Sequence, residues 1–276
     1  MKQFFDKVTF DLSALVTKRY STSFSKGIGY LHPELQHPIQ AIYGFVRFAD
    51  EIVDSFHDFD KHELLENFRQ ETRKAIEQKI SLNPILHSFQ LTVNNYQLPY
   101  ELIERFFDSM EMDLSRTVYN QVDYQTYILG SAEVVGLMCL KVFTSKADDE
   151  QLYDQLKPFA MKLGAAFQKI NFLRDIKSDY YQLGRVYFPN LEIEQLDNAS
   201  KKLIEKDISQ DFEEALIGIK QLPKSSRLGV YIAYLYYFSL FKKIQKLDSK
   251  VILSERVRIS NFKKTLLVMK AKINVK

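Results

Sequence analysis

The chain has 276 residues, of which 46% are hydrophobic, and its formal net charge is only +3. Nine glycines and seven prolines are too few for the frequent turns of an all-β protein, so long helices are expected. The single cysteine excludes an internal disulfide framework, and the N-terminal sequence has no basic segment followed by an apolar run. We therefore expect a cytoplasmic protein.

Apolar residues recur at three- and four-residue spacing through most of the chain, as at Leu12, Leu15 and Val16. In chain order this pattern predicts helices over 3–20, 35–57, 61–79, 99–116, 123–143, 150–182, 200–220, 226–247 and 255–272. No long flexible linker interrupts the series, so we expect an all-α chain with one domain over 1–276. The nearest candidate for a membrane span, 229–241, is shorter than the roughly 18 uncharged apolar residues needed. The chain is therefore not expected to cross a bilayer.

Several common chemistries lack their residues in this sequence. All five histidines lie in the first third of the chain and Cys139 stands alone, so there is no zinc ligand set. The GxGxxG, P-loop and GxSxG motifs are also absent. Dinucleotide-binding folds, P-loop nucleotide triphosphatases and nucleophile-elbow hydrolases therefore lose their usual sequence support.

A polar stripe follows one face of the predicted helix 35–57. On a helix that turns about 100° per residue, Tyr43, Arg47, Asp50 and Asp54 fall within a sector of roughly 60°. The remaining positions of this stretch are nearly all apolar or small, with Glu51 as the exception. Because a helix that is apolar on its other faces is buried, we expect the stripe to face the protein interior.

A second stripe on one face of the predicted helix 150–182 consists of Gln168, Asn171, Asp175 and Asp179. Burying several carboxylates costs several kcal/mol each unless they are paired, and Arg47 with Arg174 cannot neutralise the four aspartates of the two stripes. One such stripe alone is typical of a solvated helix face. Two stripes with oxygen-only ligands favour a hard cation such as Mg²⁺, held together with a diphosphate.

Five segments, in order, carry a family resemblance. They are YSTSFS at 20–25, RFADEIVD at 47–54, DSMEMD at 108–113, QKINFLRD at 168–175 with Asp179 and the continuation GRVYFP at 184–189, and ERVR at 255–258. Together they resemble the squalene/phytoene synthase family over nearly the whole chain. The resemblance implies an all-α, isoprenoid-synthase-type helical bundle around a central cavity.

The resemblance also implies a reaction, the head-to-head condensation of two prenyl diphosphates through a cyclopropyl diphosphate. The MEMD segment favours two geranylgeranyl diphosphates as substrates and phytoene as product, with Mg²⁺ or Mn²⁺ and without NADPH. The alternatives are a squalene or dehydrosqualene synthase that uses farnesyl diphosphate, and a terpene cyclase or chain-elongating synthase of similar fold. From another class, a catalytically inactive helical assembly or lipid-binding protein stays open.

The resemblance assigns roles to individual residues. The implied metal ligands are Asp50, Asp54, Asn171 and Asp175, and Asp179 belongs to the same catalytic acidic set. The implied substrate-binding residues are Tyr20, Ser21, Thr22, Ser23, Tyr43, Arg47, Gln168, Arg174, Arg185, Tyr187, Tyr237 and Arg256. Tyr127 aligns with a tyrosine implicated in proton handling or cation stabilisation; its alternative role is a core aromatic at the cavity wall.

Three departures from the family pattern affect these assignments. Glu133 replaces a usual glycine near Tyr127, which is expected to change the cavity shape there. Ser178 stands where the second motif often has Glu, and Tyr20 stands where some relatives have His. A phenol cannot give a diphosphate the positive charge of an imidazolium, so Tyr20 is expected to contribute less than that His.

The C-terminal end of the chain is strongly basic. Seven Lys and Arg residues, and no acidic residue, follow Glu255. Such asymmetry is typical of binding to phosphorylated substrates or to anionic lipids, although a basic terminal helix is often merely solvated. Because the hydrocarbon product is insoluble in water, we expect peripheral contact with an anionic membrane surface and no nucleic-acid partner.

Overall fold

A computed structural model describes residues 1–147, 149, 151–189, 191 and 196–274. The α-helices of this part of the chain are α1 (Lys2–Tyr20), α2 (Thr22–Ile28), α3 (Pro33–Ser55), α4 (Lys61–Gln78), α5 (Pro84–Tyr96), α6 (Tyr100–Ser115), α7 (Gln121–Ile128), α8 (Val134–Thr144), α9 (Leu152–Leu183), α10 (Asn198–Gln221), α11 (Lys224–Ile244), α12 (Ser249–Ser254) and α13 (Asn261–Asn274). A π-helix, Leu129–Glu133, joins α7 to α8. The predicted all-α class is confirmed.

The sequence pattern missed three helices, α2, α5 and α12. The pair Asn83-Pro84 is typical of a break between helices, but here Pro84 is the first residue of α5, and the Asn83 side chain accepts the N–H groups of Ile85 and Leu86. Proline suits this position because its missing N–H would have no partner inside the helix. The short helix α2 begins in the same way, since the Ser21 side chain accepts the N–H of Phe24.

The prediction of one helix over 255–272 was wrong. The short helix α12 ends just before this region, which contains an irregular segment at 255–260 and then α13. Glu255 has an extended backbone and closes α12. The irregular segment matters for function because it carries Arg256.

Helix α3 is held by a cluster of phenylalanines on the side away from its polar stripe. Phe45 stacks on Phe89 of α5, with ring centres 3.9 Å apart, and contacts Phe68, Phe106 and Phe107 from α4 and α6. Burial of this many large aromatic side chains is worth several kcal/mol. It fixes the rotation of α3 so that the opposite face, with Tyr43 and Asp50, points to the interior cavity.

Helix α1 buries a polar face and exposes an apolar one. Thr9, Ser13 and Thr17 are completely buried, whereas Leu12 and Leu15, whose spacing predicted the helix, lie on the surface. The Ser13 hydroxyl bonds the Ser88 hydroxyl at 2.7 Å. Small side chains let α1 approach α3 closely at Gly44, where an added Cβ would lie 3.1 Å from the Ser13 oxygen.

The run Gln121–Thr144 has the length needed to cross a membrane, and its most apolar window has a mean hydropathy of 1.5. It is not an uncharged run, because it contains Asp123, Glu133 and Lys141. Core helices of soluble bundles satisfy the same criterion. Here half of the run's most apolar window is buried in the fold, where it packs against α6 and α9.

Candidate active site

A cavity of about 530 Å³ lies between α2, α3, α8, α9 and α11. Its wall is largely apolar, for example at Leu31, Leu140, Phe159 and Leu163. The two polar stripes of α3 and α9 both line it. At this polar end the side chains reach solvent, since that of Arg256 is 52% exposed. The arrangement is an apolar chamber with a charged mouth.

The structure brings nearly all predicted site residues to this cavity. Its lining includes Tyr20, Ser21, Tyr43, Arg47, Asp50, Asp54, Tyr127, Gln168, Asn171, Arg174, Asp175, Asp179, Arg185, Tyr187, Tyr237 and Arg256. Thr22 and Ser23 do not line it. Phe24, Gly27 and Ile28 face the cavity from α2. Because a helix turns about 100° per residue, Thr22 and Ser23 point elsewhere.

More arginines pair with the carboxylates at the mouth than the two, Arg47 and Arg174, that lie on the helices of the polar stripes. Arg185 donates from Nη1 to Asp54 Oδ1 at 2.8 Å, and Arg256 Nε lies 2.7 Å from Asp175 Oδ1. Arg174 Nε also donates to Asp175 Oδ1, at 3.0 Å. The charge count that considered only Arg47 and Arg174 was therefore incomplete, because Arg185 and Arg256, both predicted to bind substrate, also pair with the acids.

Two carboxylates at the mouth have no arginine at hydrogen-bond distance among the described residues, Asp50 and Asp179. Arg47 pairs with Glu51 instead, and its Nη1 stays 4.0 Å from Asp50. Burial, with Asp54 nearby, raises the pKa of Asp50 to about 7. Burial, with Asp175 and Asp54 nearby, raises the pKa of Asp179 to about 8. On each wall, therefore, one carboxyl group has an ionised form whose charge the neighbouring side chains do not compensate.

The donor set fits a hard divalent cation. All candidate ligands at the mouth offer oxygen, as Mg²⁺ prefers. No three His, Cys, Asp or Glu side chains of the described residues form a preassembled metal cluster. This agrees with Mg²⁺ sites that use one or two carboxylates per ion and complete the coordination with water and substrate phosphates.

The side chain of Arg47 fits an anionic ligand. Its guanidinium carbon lies 4.4 Å from the centre of the Tyr20 ring, which holds the group in place. Its Nε is buried and makes no hydrogen bond. A buried donor without a partner is costly, so this atom is available to a bound oxygen. Tyr20 therefore supports an arginine rather than supplying charge itself.

On the opposite wall Tyr237 and Asn171 interact. The Tyr237 ring stacks on Phe167 with centres 4.0 Å apart, and its hydroxyl donates to Asn171 Oδ1 at 3.4 Å. Gln168 is one turn away, and its Oε1 accepts from Asn171 Nδ2 at 3.4 Å. These contacts orient the amide side chains of the second stripe towards the mouth.

Asp113 is a site residue that the sequence analysis did not select. It lies on α6, lines the cavity and is 8% exposed. The hydroxyls of Tyr127, Tyr187 and Tyr119 donate to its carboxylate at 2.6, 2.9 and 3.0 Å. Burial raises its pKa to about 6, although Arg185 at 3.7 Å acts in the opposite direction. The available signal was its place as the last residue of the family-like segment DSMEMD at 108–113.

Two glycines of the cavity wall serve helix packing. A Cβ on Gly164 would lie 2.5 Å from the carbonyl oxygen of Ala132, and one on Gly136 would lie 2.7 Å from that of Ala160. These residues therefore allow α9 to approach the π-helix and α8 at backbone distance. The close approach of these helix backbones, and not only space for a ligand, explains why both residues are glycine.

Comparison with known proteins gives consistent results. The family described as squalene/phytoene synthase matches residues 17–263. The chain is 25% identical to "Phytoene synthase 1, chloroplastic" of Zea mays over 88% of its own length and 63% of that protein, so it spans less than two thirds of that relative. It is 24% identical to "4,4'-diapophytoene synthase" of Staphylococcus haemolyticus, covering 90% and 91%. A crystal structure of a dehydrosqualene synthase in complex with ligand superposes with a TM-score of 0.81 at 20% identity, covering 97% and 96%.

Proposed function

This chain belongs to the squalene/phytoene synthase family, and from that premise we propose that it joins two prenyl diphosphates head to head. The observation that carries the proposal is one apolar cavity whose mouth is lined by two acidic stripes on facing helices. A scaffold or lipid-binding protein would have no use for Asp50 and Asp179, whose burial without arginine partners costs stability.

The substrates we propose are two molecules of geranylgeranyl diphosphate, which give phytoene through a cyclopropyl diphosphate. The phytoene-like segment around Asp113 and the similarity to the maize phytoene synthase support this choice. The similarity to the staphylococcal diapophytoene synthase supports the alternative, farnesyl diphosphate with a dehydrosqualene-type product. Both alternatives use the same mouth and differ in the length of chain that the cavity accepts.

Each group of residues has a distinct task in the reaction. Asp50, Asp54, Asn171 and Asp175, with Asp179, would hold Mg²⁺, or Mn²⁺ in its place, and the metal supplies charge that stabilises a departing diphosphate. The arginines at the mouth and the free Nε of Arg47 bind phosphate oxygens by charge-assisted hydrogen bonds. The apolar wall excludes water, which would otherwise quench the allylic cation.

The reaction ends, in this proposal, with loss of a proton, so NADPH is not required. Tyr127 lines the cavity and is nearly completely buried. Its hydroxyl oxygen can therefore meet a cation in a water-poor space. A hydride donor would be needed only for a squalene-type product.

The C-terminal helix supports release of a water-insoluble product at a lipid surface, and we propose a cytoplasmic enzyme that docks there peripherally. Phe262, Leu266, Met269 and Ile273 form one exposed apolar stripe along α13. Lys263, Lys270 and Lys272 are exposed beside it. By contrast, Lys264 is buried and donates to Thr22 Oγ1 at 2.7 Å, and Leu267 packs on the core. Lys276 lies outside the described residues.

Product analysis tests the proposal. The purified protein is incubated with farnesyl or geranylgeranyl diphosphate and Mg²⁺, with and without NADPH, and hydrocarbons are identified by mass spectrometry. We expect phytoene from geranylgeranyl diphosphate, with equal yield in both conditions. A C30 hydrocarbon formed only from farnesyl diphosphate would establish the alternative substrate, and consumption of a single diphosphate per product would establish a cyclase. No turnover of either substrate would support the inactive alternative.

A further inference from the structure

Three hydrogen-bond donors surround the Asp113 carboxyl group and favour its ionised form. Its Oδ2 accepts from Tyr127, and its Oδ1 accepts from Tyr119 and Tyr187. The three phenols come from separate parts of the chain, and an isolated bridge between Val118 and Val186 holds two of them together. A carboxylate can only accept, whereas a carboxylic acid must also donate, so three donors favour the ionised form of Asp113.

The bond to Asp113 also determines what Tyr127 offers the cavity. A phenol has one proton, and that of Tyr127 is directed at Asp113 Oδ2, 2.6 Å away. Burial, with Asp113 nearby, raises the pKa of Tyr127 well above its ordinary value, so the phenol stays neutral. What remains for the cavity is the lone pairs of the hydroxyl oxygen, which attract a cation and can accept a proton.

The charged groups around Asp113 separate it from the mouth. Arg185 faces it from the segment after α9 with Nη1 3.7 Å from Oδ1, and the same nitrogen donates to Asp54 Oδ1 at 2.8 Å and to the Tyr187 hydroxyl at 3.2 Å. Asp54 faces it from α3 and disfavours its ionised form, whereas Arg185 favours it. Asp113 therefore lies behind the layer of groups that hold the diphosphates.

We propose that Asp113 positions Tyr127 and, acting through it, accepts the proton that the terminal carbocation loses. A substrate C–H bond next to the cationic carbon breaks, and its electron pair becomes the new C=C bond. The proton bonds to the Tyr127 oxygen while the existing O–H bond of Tyr127 breaks towards Asp113. Tyr127 ends as a neutral phenol and Asp113 as a carboxylic acid. The inference rests on the proposed function, because only a product formed by proton loss needs this base.

Asp113→Asn tests the proposal because it removes the accepting carboxylate at nearly constant size. We expect hydrocarbon formation to fall about 100-fold or more, as is typical when a proton acceptor is lost, while the cyclopropyl diphosphate accumulates. Asp108→Asn is the matched control on the same helix, since Asp108 is exposed and its carboxylate binds Arg69 at 2.8 Å. Its hydrocarbon rate is expected to stay within about twofold of the unmodified enzyme.

A second measurement separates proton acceptance from packing and does not depend on the fold of Asp113→Asn. In single turnovers of the isolated cyclopropyl diphosphate, the rate should rise with pH around 6, where Asp113 ionises. Asp113→Glu should keep such a rise and Tyr127→Phe should abolish it. A normal rate in Asp113→Asn, failure to form the intermediate in that variant, or an unchanged pH profile in Tyr127→Phe would overturn the relay. If the unmodified enzyme itself needed NADPH or made no hydrocarbon, the proposed function would fail instead.

Discussion

Replacement of Asp50 by Asn should stabilise the protein while it impairs catalysis. In an unfolded chain the Asp50 carboxyl has an ordinary pKa of 3.8, and in the folded protein burial raises that pKa to about 7. At pH 8 the carboxyl is charged in both states, so the folded state bears the full cost of the buried charge. Below pH 3.8 it is protonated in both states and the cost disappears. The benefit of Asn should therefore shrink as the pH falls.

The size of this effect follows from the same values. A pKa difference of one corresponds to about 1.4 kcal/mol, so the change from 3.8 to about 7 would be worth about 4 kcal/mol for a group shut off from water. The Asp50 side chain is 35% exposed at the mouth. Solvent screening reduces the expected gain to about 2 kcal/mol. Arg47 keeps its close partner Glu51 in the variant.

Urea unfolding in EDTA at pH 8.0 and pH 4.5 measures the gain. We expect Asp50→Asn to exceed the unmodified protein by about 2 kcal/mol at pH 8.0 and by less than about 1 kcal/mol at pH 4.5. Asp11→Asn, on the exposed face of α1, is the control and should change stability by less than about 0.5 kcal/mol at either pH. A destabilised Asp50→Asn at pH 8.0, or a gain that does not depend on pH, would refute the account of Asp50 as an uncompensated buried charge.

Three further predictions concern other parts of the molecule. Asp54→Asn should keep the fold but lower turnover with Mg²⁺ about 100-fold or more, whereas Asp58→Asn, beyond the end of α3, should have normal turnover in the same assay. Gly164→Ala should lower the free energy of unfolding, measured in urea, by about 1 to 3 kcal/mol, because the new Cβ would lie 2.5 Å from the Ala132 carbonyl oxygen. Gly29→Ala is the control and should be nearly neutral, because no neighbour would lie closer than 3.5 Å to its Cβ. Binding of the protein to phosphatidylglycerol vesicles should weaken as the salt concentration rises. The double variant Phe262→Ser with Met269→Ser should lose this binding, whereas Leu203→Ser, at an equally exposed site on α10, should keep it. Salt-insensitive binding, or none, would leave α13 as an ordinary solvated helix.

The parts of the fold that sequence predicts well are those governed by local periodicity. The long helices α3, α6, α9 and α10 were each predicted to within a few residues of their observed ends. The inward direction of both acidic stripes followed from the apolar residues on the other helix faces. These features depend on spacing within one helix, which a single sequence displays directly.

The features that sequence failed to predict depend on contacts between helices. Nothing in the spacing of Leu12 and Leu15 shows that α1 turns them outward, because that choice is made by the close contact of Ser13 with Gly44. The family resemblance placed Arg185 and Arg256 in the site, but their ion pairs with Asp54 and Asp175 could not be predicted, because they form only where irregular segments return to the mouth after α9 and α12. A count of charges along one helix therefore overstates the missing counter-charge.

The carboxylates that line the cavity serve different tasks because their partners differ. A metal ligand must keep lone pairs available, and Asp50 and Asp179 do so, since no arginine of the described chain lies at hydrogen-bond distance. Asp113 instead spends its lone pairs on phenol hydroxyls, which hold it in place and tie it to a cavity-lining oxygen. It is therefore poorly suited to bind a cation and well suited to receive a proton. Residues of one chemical type acquire separate functions through environment, and the acid best placed to act as a base lies outside the two polar stripes.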